Sequence, residues 1–245
     1  MRKILMSVVF LWMTQLPAYN TNFHLAEKAK AKGDYKSALR YSLKQLDDDL
    51  KENGRLSKDV AIDYGILGYY AGKIGKYDKA LEYNFEALMI QERMLGKNHP
   101  SRAITYNNIG GVYRKQGKYQ EALDYYAKAL KISEKAFGKN HASVATTYSN
   151  MGLVYKNIGK YQESLDCYAK TLKIREQVLG KNHLSTATTY NNISLVYYKQ
   201  GKYQEALNEL DKALKIQEKA LGKEHPSTKN TQKNINYLKN EMAKK

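Results

Sequence analysis

The sequence predicts an all-α protein, a solenoid of antiparallel helix hairpins, and three observations carry that reading. The phrases LGKNHP (95–100), FGKNHA (137–142), LGKNHL (179–184) and LGKEHP (221–226) stand 42 residues apart. Four of the five histidines therefore fall on one spacing. The triplet GDY at 33–35 returns as GKY at 75–77, 117–119, 159–161 and 201–203, on the same period. Within each period the apolar residues recur at intervals of three and four, the spacing of one helix face. A fixed repeat of this length is the signature of stacked supersecondary units.

The segment 99–140 shows how one unit is built. Tyr106, Ile109, Gly110 and Tyr113 mark a first helical stripe. Gly117 interrupts it, and Tyr119, Ala122, Leu123, Tyr126, Ala129 and Leu130 mark a second. Two helices joined by so short a turn must lie antiparallel. Gly110 and Ala122 are small, so the two backbones can approach. The second helix runs to about Phe137, roughly 30 Å, and Gly138 is its C-terminal stop. Where proline follows the histidine, at Pro100 and Pro226, it suits the first turn of the next helix.

Taken along the chain, this pattern gives hairpins at 21–56, 57–98, 99–140, 141–182 and 183–224, then a capping helix at 225–243. The copies at 106–113, 148–155 and 190–197 (YNNIGGVY, YSNMGLVY, YNNISLVY) are close to one another. The copy at 64–71 is blurred, with Ala71 in place of tyrosine, and the first hairpin keeps only small residues and GDY. The last helix should turn Ile235 and Leu238 inward and its lysines and asparagines outward. Degenerate ends are expected where a terminal repeat faces water.

The regularly spaced histidines raise the question of a metal ladder. Equivalent positions in stacked hairpins are a whole repeat apart, and even neighbouring helices sit 8–10 Å from each other. A metal needs several ligands at about 2 Å, so successive histidines cannot share one ion. They read as turn punctuation, and no metal or cofactor is expected.

The stretch YNNIGGVYRKQGKYQEALDYYAKAL (106–130) resembles the tetratricopeptide repeat, in a longer form similar to the repeats of kinesin light chains. The likeness spans about 22 to 245. It implies a right-handed superhelix whose first helices line a concave groove that holds a protein or peptide segment. Transferred residue by residue, the groove face comprises Tyr69, Asn107, Arg114, Ser149, Lys156, Asn191 and Tyr198. Relatives use asparagine and basic side chains there to hold a peptide backbone or carboxylate. Asn107 and Asn191 fit that use, and Ser149 does not. Asn108, Asn150 and Asn192, one place later, read as structural.

Lysine and arginine number 41 against 24 aspartates and glutamates, a net charge of +17. The surplus is spread over the repeats, as solvated outer faces would be, yet it also favours acidic partners. Nucleic acid is the disfavoured alternative: Tyr106, Tyr113, Tyr119 and Tyr126 occupy the packing stripe, and no recognition motif is present. Cys167 is the single cysteine, so no intramolecular disulfide can form. The run Asp47–Asp48–Asp49 lacks the spacing of a calcium loop and reads as solvated surface. No nucleophile–base set, phosphate-cradling loop or acid/base carboxylate pair is recognisable, so the chain is not expected to be an enzyme. The oligomeric state is left open.

The first residues break the repeat. Arg2 and Lys3 precede an apolar run from Ile4 to Met13, followed by small and polar residues to Ala18. Residues 1–18 therefore read as a secretory signal peptide, too short to span a bilayer. Export, with the array beginning at residue 19, is the expectation. A cytoplasmic protein using its positive surface on nucleic acid or acidic partners is the alternative.

Overall fold

In a computed structural model, residues 21–244 are described, and the segment 1–18 expected to direct export lies outside them. The described residues form eleven α-helices and no strand. These are α1 (Thr21–Ala31), α2 (Tyr35–Asn53), α3 (Lys58–Lys73), α4 (Tyr77–Leu95), α5 (Ser101–Lys115), α6 (Tyr119–Phe137), α7 (Ala142–Asn157), α8 (Tyr161–Val178), α9 (Leu184–Lys199), α10 (Tyr203–Leu221) and α11 (Pro226–Ala243). The chain divides into two compact units, one through Val112 and one from Tyr113 onward.

Helix ends follow from the punctuation. Gly117 and Gly138 adopt φ of +76° and +83°, a region that only glycine enters without strain. Gly117 turns the chain from α5 into α6, and Gly138 ends α6. His141, His183 and His225 are N-caps: each Nδ1 accepts the backbone N–H of the serine two residues on, at 3.2, 3.1 and 3.1 Å. His99 accepts the same bond from Ser101 at 3.3 Å. Each histidine thus satisfies an N–H that the first helical turn would leave without a partner. At α11, Pro226 follows as the first helical residue.

In the first unit the hairpins α1–α2 and α3–α4 pack around Ala26, Ala38, Leu67, Tyr70, Ala71 and Ala80, with Val112 of α5 against them. Alanines at the crossings let the helices close in. In the second unit Ala122, Tyr126 and Val154 form one cluster, Tyr168, Ile193 and Val196 another, and Ala206, Leu210 and Ile235 a third. Ile235 and Leu238 are the buried side chains of α11 expected from the sequence. Burying each such side chain contributes about 1.5–3 kcal/mol.

Second helices are also tied to the following first helix by polar pairs fourteen residues apart. Thr105 donates to Gln91 Oε1 at 3.1 Å in the first unit. Arg175 donates to Thr189 Oγ1 at 2.7 Å in the second, and burial lowers the guanidinium's pKa. Tyr148 and Tyr190 donate to Glu134 and Glu176 at 3.3 and 3.1 Å. Asp49 and Asp63 occupy the Gln91–Thr105 position one period earlier. Asp49 is 2% exposed, which corrects the expectation that the whole run 47–49 is solvated surface. The helical phase of α2 explains it: Ala38, Ser42, Gln45 and Asp49 share the buried stripe, while Asp47 and Asp48 point outward.

Candidate peptide-binding surfaces

In the first unit, α1, α3 and α5 together line a groove of about 410 Å³. Its walls are largely apolar, and two large side chains stand out into solvent, Ile62 at 51% and Ile104 at 65% exposed. Tyr69 lines it as well, packed edge-on against Tyr70 at 5.5 Å, with Lys73 Nζ 5.1 Å from its ring centroid. Glu27 and Lys30 of α1 form the polar rim, ion-paired at 2.9 Å. Tyr70 donates its hydroxyl to Glu27 at 3.1 Å, tying α1 to α3 across the groove floor.

Of the asparagines on α5, Asn108 lines this groove. Asn107 does not, and its amide donates to the Ala103 carbonyl of its own helix at 3.1 Å. One residue is a rotation of about 100° on a helix, which places the two asparagines on different faces of α5.

The second unit carries a different surface. Arg114 lies in the last turn of α5, Lys156 near the end of α7, and Lys199 ends α9. Lys156 is half-buried, and burial lowers its pKa, with Arg114 and Lys199 adding like-charge repulsion. Arg114 also bonds the hydroxyl of Tyr126, a ring 1% exposed. Among the described residues no carboxylate pairs with any of these three cations. Partly desolvated positive charge without a counter-ion is an arrangement that an incoming anion relieves.

The remaining candidates serve structure in varying degree. Ser149 on α7 is 8% exposed and turned into the packing. Asn191 on α9 donates to Thr231 Oγ1 of α11 at 3.4 Å, fixing the last helix. Tyr198 stacks on Tyr203 at 5.7 Å, meets the Tyr237 hydroxyl at 3.3 Å and, with Leu195, lines a pocket of about 170 Å³.

The sequence pattern identified with the tetratricopeptide repeat is matched by that family's model over residues 59–135, 101–177, 143–219 and 186–235. The chain belongs to the tetratricopeptide repeat family. Its fold resembles those of solved structures of similar repeat proteins. BtubC from P. vanneervenii is 24% identical, with 82% of this chain and 80% of that one covered and a TM-score of 0.67. A protein of Podosopora anserina described as a kinesin light chain with nearly identical repeats is 21% identical, covering 82% and 95%, with a TM-score of 0.64. A thermophilic tetratricopeptide protein of Thermus thermophilus is 19% identical, covering 90% and 98%, also with a TM-score of 0.64. Identities this low speak to the fold alone. No curated protein sequence matches the chain significantly.

In this tetratricopeptide repeat protein the sequence pattern did not single out Ile62, Ile104 or Lys199, and it read Asn108, which lines the groove, as structural. Lys199 takes the cationic role one place after Tyr198, where the earlier copies carry Arg114 and Lys156. The signal for the two isoleucines was available: Ile62 and Ile104 stand one period apart, off the packing stripe. No helix of the described residues is long and apolar enough to cross a membrane.

Proposed function

We propose that this chain is a non-enzymatic, exported scaffold that holds an acidic segment of a partner protein. The observation that carries the reading is the trio Arg114, Lys156 and Lys199, which converge on Lys156 with no carboxylate to neutralise them. A partner's aspartate or glutamate supplies the missing charge through charge-assisted hydrogen bonds. The apolar groove beside Ile62 and Ile104 supports a protein partner, since exposed apolar surface set among polar residues marks interaction sites. Nucleic acid is less well supported: Tyr70, Tyr126 and Tyr168 are fully buried, Tyr106, Tyr113 and Tyr119 are half-buried, and among the described tyrosines only Tyr69 and Tyr237 are exposed.

A peptide array tests the binding reading. Aspartate- and glutamate-rich peptides should bind the full chain, and neutral amide counterparts should not. Lys156→Glu combined with Arg114→Glu should weaken binding at least tenfold, about 1.4 kcal/mol. Equal binding of neutral and acidic peptides would remove the acidic-partner reading. Export is tested separately, by N-terminal sequencing of the protein recovered from its own cell: a mature chain starting near Tyr19 supports it, and an intact Met1 refutes it.

A further inference from the structure

We propose that the buried Asp49–Asp63 pair is a proton-operated latch: it holds the α1–α2 hairpin on α3 in acid and loosens as pH rises, opening the groove that α1 helps to wall. This device does not depend on what the groove binds. Asp49 and Asp63 are each 2% exposed, on the packed helices α2 and α3. Asp49 accepts amide N–H bonds from Gln45 at 3.1 Å and Asn53 at 3.5 Å. Its oxygens are therefore acceptors, and Asp63 stands one period before Thr105, the residue that donates to Gln91 in the matching contact, so a protonated Asp63 is the donor toward Asp49. The second oxygen of Asp63 has no partner among the described residues.

The corresponding contact one period later shows what is unusual. There a threonine hydroxyl meets a glutamine amide oxygen, neutral on both sides. Placing two acids at that position makes the contact good only while one of them stays protonated. The charged groups acting on Asp63 are Asp49 from α2 and Asp59, one turn earlier on α3 itself. Both are acids, and no cation from α1, α2, α4 or α5, the helices that meet α3, acts on Asp63.

Burial, then the bond and charge of Asp49, push the Asp63 carboxyl up to about 9 from an ordinary 3.8. In an opened interface Asp63 returns toward the lower value. The stability contributed by the protonated pair is thus fully present below about pH 4 and is lost progressively until about pH 9. Across that window the docked state is favoured up to about tenfold less per pH unit. Release of α1 and α2 would withdraw Glu27 and Lys30 from the groove rim and break the Tyr70–Glu27 bond.

Hydrogen exchange of the full chain between pH 5 and pH 9 tests this, with peptides from α8–α10 as the internal reference. Opening of α1 and α2 relative to that reference should rise steeply with pH, and Asp63→Asn should flatten the rise. Identical pH dependence of the two regions in the wild type would overturn the latch. Should Asp63→Asn not fold, the carboxyl-carbon NMR signal of Asp63 in the wild type decides: the chemical shift of a protonated carboxyl held from pH 4 to pH 7 upholds the proposal, and titration alongside surface aspartates, or the shift of an ionised carboxylate throughout, overturns it. Saturable protection of α1 and α2 by magnesium or calcium at fixed pH would also overturn it, because the pair would then be a cation site.

Discussion

Gly152 of α7 faces the ring of Tyr168 of α8 so closely that a Cβ on the glycine would lie 3.0 Å from the Cε1 and Cζ atoms. Tyr168 is fully buried, so its ring has nowhere to retreat. The contact sets the distance between the two helices of that hairpin. It also explains why a glycine stands in a helix interior, where it would otherwise cost about 1 kcal/mol relative to alanine.

Gly152→Ala should therefore destabilise the chain, although alanine is the better helix former. The expected loss is about 1–3 kcal/mol from overpacking, read as a lower midpoint in chemical denaturation. Gly65→Ala is the control, since a Cβ there meets nothing within 4 Å. It should be neutral or slightly stabilising.

The histidine caps make a second prediction. His183→Ala removes the acceptor for the Ser185 N–H and should cost about 1 kcal/mol, whereas His183→Asn should retain most of the stability. A metal role predicts instead that stability depends on added zinc or nickel. Thermal midpoints of the wild type with and without chelator separate the two, and the capping role predicts no difference.

Cys167 supplies a third. It is 7% exposed, and burial pushes its thiol up to about 11, so little thiolate is present near neutral pH. In the native chain it should resist an alkylating reagent, and denaturant should release full reactivity. Fast native labelling would mean that α8 opens readily.

Much of the fold was legible because hairpin repeats write their packing in side-chain size and spacing. Ala122, Tyr126 and Ala129 are buried as their intervals of three and four require. Gly138 stops α6 because only glycine suits the backbone there. The surfaces were less legible, because binding side chains are not bound to one phase. Asn107 and Asn108 differ by one step on a helix, yet only the second lines the groove. The cation equivalent to Lys156 moved one place, to Lys199, where a strict offset finds Tyr198. Asp49 hid in a run of three acids whose composition suggested solvent, although the α2 phase assigned it to the interior.

The most direct test of the central claim is calorimetric titration of an aspartate- and glutamate-rich peptide into the full chain at alkaline pH, in two buffers of different ionisation enthalpy. A carboxylate arriving beside Lys156 raises the pKa that burial and its two cationic neighbours hold down. The account predicts saturable binding with proton uptake, the uptake vanishing in Lys156→Met. Absence of binding, or binding with no proton uptake in the wild type, would contradict it.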